Sequence, residues 1–181
     1  GGIHPSTFPY NMLDEDINYV VRGEGEMPMF DIAAGKNPYE IKGLVYKNNH
    51  GELIDNGISG QIDDLDQIPF PFRPTELIER YLSCSPRGEK HKRSLSIITS
   101  RGCPYDCLFC SVHPVSGYQW RARSAKNVLQ EISYYIDNYG VNHIEFEDDN
   151  LTLDGRRAEE IFDGILALDK KITWAVNNGL R

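Results

Sequence analysis

The chain has 181 residues, 40% of them apolar, with 19 Lys and Arg against 27 Asp and Glu and a formal charge of −8, enough for one ordinary domain or parts of two. This balance speaks against broad attraction to nucleic acid. With no apolar run of membrane length and no signal-type stretch in Gly1-Gly-Ile-His-Pro5, the sequence reads as cytoplasmic.

In chain order, Ile17-Asn-Tyr-Val-Val21 predicts a strand and Arg22-Gly-Glu-Gly-Glu26 a glycine-bearing turn, followed by a helix through Phe30 and Ala34. Together they read as half of an α/β unit. The runs Lys42–Lys47 and Glu52–Ile54, joined by Asn48-Asn-His-Gly51, predict a hairpin. Asp63-Asp-Leu-Asp66 and Ile68-Pro-Phe-Pro-Phe-Arg-Pro74 follow neither a helical nor an alternating period. The expected division is therefore a first module over 1–60, a linker over 61–90 and a second module over 91–181.

The second module is more regular. Leu95-Ser-Ile-Ile-Thr99 predicts a strand, and from Asn127 the residues Val128, Leu129, Ile132, Ile136 and Tyr139 share one helical face, with Ser124 as N-cap and Gly140 as stop. Val141–Phe146 predicts a second strand. Asp154 is placed to cap a helix carrying Ile161, Phe162, Ile165, Leu166 and Leu168, and Ile172–Val176 begins a third strand. Strands alternating with single helices imply βα repeats around parallel strands, whose chemistry gathers at the carboxyl ends. If Ile144 and Phe146 face the helices, Glu145, Glu147 and Asp149 turn to the opposite, polar side.

The loop after the first strand carries the chemistry. Ser100-Arg-Gly-Cys-Pro-Tyr-Asp-Cys-Leu-Phe-Cys110 sets Cys103, Cys107 and Cys110 at C-x3-C-x2-C spacing. A cubane iron–sulfur cluster ordinarily takes four thiolates, so three leave one iron open to chemistry. The other reading is structural zinc, which requires a fourth ligand, for which His113 is the candidate. The remaining cysteine, Cys84, reads as a free buried thiol, and the crowding of the other three fits metal in a reducing compartment rather than a disulfide framework.

These residues resemble the radical S-adenosylmethionine enzymes, and within them the branch with an N-terminal cobalamin-binding domain. In the second module the resemblance rests on the cysteine run through Ser111, Trp120-Arg-Ala-Arg-Ser124, Glu131-Ile132, Phe146-Glu-Asp-Asp-Asn-Leu-Thr152 and Trp174-Ala-Val-Asn-Asn-Gly-Leu-Arg181. In the first it rests on Gly1-Gly-Ile-His-Pro5 and Tyr19-Val-Val-Arg-Gly-Glu-Gly-Glu26. It implies an α/β fold: the C-terminal part of a Rossmann-like cobalamin-binding domain, followed by the first half of a partial (β/α) barrel. Three strands would be about half of that barrel, so the chain alone is expected to be inactive and poorly soluble.

By the same resemblance, Cys103, Cys107 and Cys110 would bind three irons of a 4Fe-4S cluster, with S-adenosylmethionine on the fourth. Phe109 would lie along the adenine, against the alternative of a buried loop anchor. Asp148 and Asp149 would meet the cofactor's ammonium group, although the family's usual Gly-Gly-Glu is absent and Asp149 can equally cap a turn. Gly1, Gly2 and Glu24 would approach the cobalamin. Arg101, Arg121 and Arg123 would either favour thiolate near the cluster or form solvated surface. His113 would reach the substrate or serve the loop. No catalytic residue is assigned. The implied reaction is reductive cleavage of S-adenosylmethionine, leading to cobalamin-dependent methyl transfer or ring formation on a small molecule, with electrons from a flavodoxin or ferredoxin. The alternatives are the zinc module and a methylthiotransferase-like enzyme, whose second cysteine trio finds no counterpart before Cys84.

Overall fold

The computed structural model of the chain describes residues 1–13, 16–82, 93–178 and 180. Cys84 lies outside the described residues. In chain order the elements are α1 (Ile3–Thr7), β1 (Tyr19–Val21), α2 (Glu26–Ala33), β2 (Leu44–Lys47), β3 (Leu53–Asp55), α3 (Thr75–Leu82) and β4 (Ser94–Ile97). They continue as β5 (Ser100–Arg101), α4 (His113–Ser116), β6 (Arg121–Ala122), α5 (Ala125–Tyr139), β7 (His143–Phe146), α6 (Gly155–Ala167) and β8 (Thr173–Val176). Two compact units result, one of residues 1–63 with 102–120, the other of 64–101 with 121–181.

In the first unit β2 and β3 pair antiparallel, Tyr46 opposite Ile54, as the hairpin pattern requires. β1 joins the same sheet antiparallel to β2, with Val20 opposite Val45. The strand, glycine turn and helix read from this stretch all form, and β1 completes a three-stranded antiparallel sheet. A small core of Val21, Ile41, Leu44 and Tyr46 forms, with Ile32 and Ile54 against it. The segment after β3 returns across the sheet: Ser59 N–H donates to Arg22 O at 3.0 Å and Ser59 Oγ to Glu24 O at 2.7 Å. Gly43 makes this approach possible. Its φ is +86°, and a Cβ there would lie 2.6 Å from Ser59 N.

The second unit is a parallel sheet in the order β4-β7-β8. Its core takes Leu95 and Ile97 from β4, Ile144 and Phe146 from β7, Val128, Ile132 and Tyr135 from α5, and Ile161 and Ile165 from α6. Each such side chain contributes roughly 1.5–3 kcal/mol on burial. Both helices begin as their sequences require: Ser124 Oγ accepts from Asn127 N–H, and Asp154 accepts from Arg157 N–H. Gly140 ends α5 in the left-handed region, at φ 60°. Leu166, expected on the buried face of α6, is 78% exposed.

The stretch expected as linker is partly built into this unit. Leu65 is buried, α3 adds Ile78 and Leu82 to the core, and Asp66 accepts from Ser124 N–H at 2.8 Å.

Candidate functional site

The cysteine loop belongs to the first unit. Cys103 is half-buried, Cys107 and Cys110 are exposed, and all three are free thiols. At its base Cys103 N–H donates to Gly117 O at 3.3 Å, and Cys110 N–H donates to Cys107 O at 2.9 Å in a turn carrying Leu108 and Phe109. Phe109 is 92% exposed, which excludes the buried-anchor reading. His113 braces the loop: its Nε2 lies 3.1 Å from Cys103 O, and its ring stacks on Tyr118 at 3.7 Å between centroids. Gln61 Nε2 donates to Ser116 O at 3.1 Å, tying the loop's far side to the segment after β3.

Among the described residues, no three His, Cys, Asp or Glu side chains converge as a metal-binding group, so the trio is not gathered in advance and His113 does not stand with it. The donor set nonetheless fits a cluster with one open iron: three unbridged thiols, two of them at the surface, on a loop fixed at its base.

In the second unit, β7 turns its side chains as the alternation requires. Ile144 and Phe146 are wholly buried among the helices, and Glu145 lies on the other face, 98% buried. Ser94 Oγ donates to Glu145 at 3.0 Å, and Asn177 Nδ2 donates to Glu145 at 3.3 Å and also to Glu147. His143 Nδ1 lies 2.7 Å from Thr173 Oγ1. This face of the sheet is polar, and its buried carboxylate is hydrogen-bonded, as burial of a charge demands.

Asp148 lies just past β7 and is fully buried. Its carboxylate accepts from Thr99 N–H at 3.1 Å, from Thr99 Oγ1 at 2.7 Å and from Ser100 Oγ at 2.5 Å. Its role in the fold is thus to hold the turn out of β4. Asp149 beside it is half-buried. Arg121 is 4% exposed, and Arg123 pairs with Glu131 while its guanidinium lies 5.5 Å from the Phe70 ring centroid, so the solvated-surface reading fails for both. Glu131 also accepts from the Tyr135 hydroxyl. Burial first, and then this carboxylate, push the phenol well above its ordinary pKa.

Arg157 has no motif to mark it in the sequence. It is 8% exposed, and its Nη2 donates to Thr99 O at 2.8 Å and its Nε to Arg123 O at 2.6 Å. Burial pulls its pKa down, with Asp148 and Asp154 opposing. The sequence signal was its third position beyond the Asp154 cap, where a first-turn side chain of α6 is expected to be solvated.

Of the residues expected near cobalamin, Gly1 and Gly2 are exposed, Gly2 with φ 105° at the start of α1. Glu24 points inward. It is 5% exposed, and its Oε2 accepts from Ile62 N–H at 2.8 Å. A cavity of about 200 Å³ in this unit is lined by Met27, Asp31, Lys36, Lys42 and Gln61 among others, and by none of these three.

No family model matches the chain. An uncharacterized methyltransferase of Pyrococcus horikoshii is 33% identical over 98% of this chain and 39% of its own length. The radical S-adenosylmethionine methyltransferase TsrM from Kitasatospora setae, solved with cobalamin and a [4Fe-4S] cluster, superposes with a TM-score of 0.67 at 22% identity, over 93% of this chain and 33% of its own. The cobalamin-dependent S-adenosylmethionine radical enzyme OxsB, solved with aqua-cobalamin and S-adenosylmethionine, gives 0.70 at 22% identity, over 96% and 24%. The chain thus spans about two fifths of the curated relative and a quarter to a third of the solved chains.

Proposed function

We propose that this chain belongs to the radical S-adenosylmethionine enzymes of the cobalamin-binding branch, a reading supported by its likeness to the methyltransferase of Pyrococcus horikoshii and to the folds of TsrM and OxsB, and that it carries the cluster loop of an enzyme that cleaves S-adenosylmethionine reductively and transfers a methyl group to, or closes a ring on, a small molecule. The observation that carries this reading is the loop itself: three free thiols at C-x3-C-x2-C spacing, fixed at the base by Cys103 N–H on Gly117 O and by His113 on Cys103 O. Cys103, Cys107 and Cys110 would hold three irons of a 4Fe-4S cluster. A cluster held there, with electrons from a flavodoxin or ferredoxin, would supply the reducing electron for cleavage of S-adenosylmethionine.

The protein's own residues bind and orient. The exposed ring of Phe109 offers an apolar face for the adenine. Asp149, half-buried beside the fully buried Asp148, is the more accessible carboxylate for the ammonium group. On the polar face, the half-buried Glu147 and Asn177 provide hydrogen-bonding groups for a polar substrate, while the buried Glu145 holds Asn177 from behind. In the first unit, Gly1 and Gly2 offer backbone without side chains to the corrin tail, while Glu24 acts indirectly, by fixing the Ile62 segment. Among the described residues no helix is long and apolar enough to cross a membrane.

The test is anaerobic reconstitution of the full-length protein with iron and sulfide, followed by metal analysis and electron paramagnetic resonance with and without S-adenosylmethionine. About four irons per chain and a signal that changes on adding the cofactor are expected. One zinc per chain and no signal would end this reading.

A further inference from the structure

The loop that carries the three cysteines leaves the second unit at β5 and re-enters it at β6. These two strands pair antiparallel, Ser100 opposite Ala122 and Arg101 opposite Arg121. Such a ladder is too short to hold itself together, since each backbone hydrogen bond contributes only about 1 kcal/mol net. Two buried residues of opposite charge, from two other elements, hold it from behind. Asp148, beyond β7, takes three donors of Thr99 and Ser100, the residues at the entry to β5. Arg157, in the first turn of α6, donates to both sides at once: Nη2 to Thr99 O before β5, Nε to Arg123 O after β6. Thr99 O also accepts from Arg123 N–H at 2.9 Å, so the guanidinium closes a ring of three hydrogen bonds across the mouth of the excursion.

We infer that Arg157 and Asp148 are positioning residues that fix the two ends of the cysteine loop and thereby set how firmly its thiols retain their cluster. The inference rests on the cluster reading above. Its physical basis is loop entropy: the thiols are not gathered in advance, so every freedom given to the loop's ends must be removed again when they converge on metal. Neither residue need touch the cofactor for this. A guanidinium is suited to the task because it presents donors in a fixed fork, whereas a lysine at the same place keeps the charge and reaches one carbonyl only.

Wild type, Arg157→Lys, Arg157→Gln and the conservative Thr99→Ser are compared in the full-length protein. Cluster loss to a chelator is followed by absorbance after anaerobic reconstitution, and backbone amide exchange over 99–101 and 121–123 is measured in the apo protein. In both Arg157 variants the cluster is expected to be lost about tenfold faster and these amides to exchange about tenfold faster, the equivalent of one charge-assisted hydrogen bond. Their melting temperatures should stay near that of wild type, and Thr99→Ser, which keeps the carbonyl, amide and hydroxyl, should behave as wild type in every readout. Wild-type cluster retention in Arg157→Lys overturns the inference. So does global unfolding of both Arg157 variants, which makes the residue a general stabiliser. If wild type itself takes up no cluster, the cluster reading fails first, and the exchange data still decide whether Arg157 clamps the ladder.

Discussion

Gly102 is the point at which a single methyl group should separate the loop from the rest of the molecule. It stands between β5 and Cys103 with φ +83°, and a Cβ there would lie 2.2 Å from Gln119 O and 3.0 Å from Ser116 O. Non-bonded carbon and oxygen atoms rarely approach closer than about 3 Å, so Gly102→Ala requires a backbone shift of about 1 Å, and the obstacle is main chain rather than a flexible side chain. The left-handed conformation adds roughly 1–2 kcal/mol for a residue with a Cβ. The nearby Cys103 N–H to Gly117 O bond, already 3.3 Å long, will not survive a shift of that size, adding roughly 1 kcal/mol. The local cost of about 2–3 kcal/mol falls on the segment that positions the thiols. The assay is iron content after anaerobic reconstitution beside the melting temperature, with Gly155→Ala as control, because no atom lies within 4 Å of a Cβ at Gly155. Gly102→Ala should lose most of its iron with little change in melting temperature, and Gly155→Ala should match wild type in both. Wild-type iron content in Gly102→Ala would refute the steric argument.

Glu131→Ala should lower stability by roughly 3–5 kcal/mol in denaturant titration, because Arg123 then loses the carboxylate it pairs with in a buried setting; Glu131→Gln should cost less. Tyr135 is protonated in the fold, with its pKa raised by burial and then by Glu131, so its contribution is complete below about pH 10 and declines as pH rises further. Melting temperatures at pH 8 and pH 11 should therefore differ less in Tyr135→Phe than in wild type. For Asp55, burial pushes the carboxyl up, but the Tyr10 hydroxyl, the Gly57 N–H and Arg22 outweigh it and hold the pKa below the ordinary range. That contribution is present above about pH 4 and lost as pH falls through the folded value. Asp55→Asn should thus be less stable than wild type at pH 7 by under about 1 kcal/mol, with the gap closing by pH 2.5.

What the sequence made legible is what local rules govern. The period of α5, the Ser124 and Asp154 caps, the Gly140 stop and the alternation along β7 each depend on neighbours a few residues away, and the structure shows all of them. The partner of β1 and the fate of residues 64–82 depend on distant chain: local signals name no partner for β1, and much of the stretch read as linker is built into the second unit. The α3 run Thr75-Glu-Leu-Ile-Glu-Arg-Tyr-Leu82 has an apolar face, yet it follows a proline-spaced stretch that masked its helical period.

The charged residues show the same division in a way that bears on the site. Glu24 and Asp148 stand where the resemblance places ligand contacts, and both are buried, Glu24 Oε2 accepting from a backbone N–H and the Asp148 carboxylate from backbone and hydroxyl donors of its own unit. Arg157, with no motif to mark it, bridges the two ends of the functional loop. A sequence motif records which residues a function keeps in place, and it does not separate the side chain that touches the ligand from the one that holds the backbone which does. Burial makes that separation. A carboxylate with no exposed surface and several short internal hydrogen bonds must give these up before it can meet a cofactor, and unpairing a buried group costs roughly 1–3 kcal/mol for each donor left unsatisfied. Asp149, half-buried and adjacent, keeps part of its surface exposed. A substitution series across the pair should therefore divide, with Asp148→Asn loosening the turn out of β4 and the cluster with it, and Asp149→Asn weakening the response of the cluster signal to S-adenosylmethionine while leaving iron content unchanged.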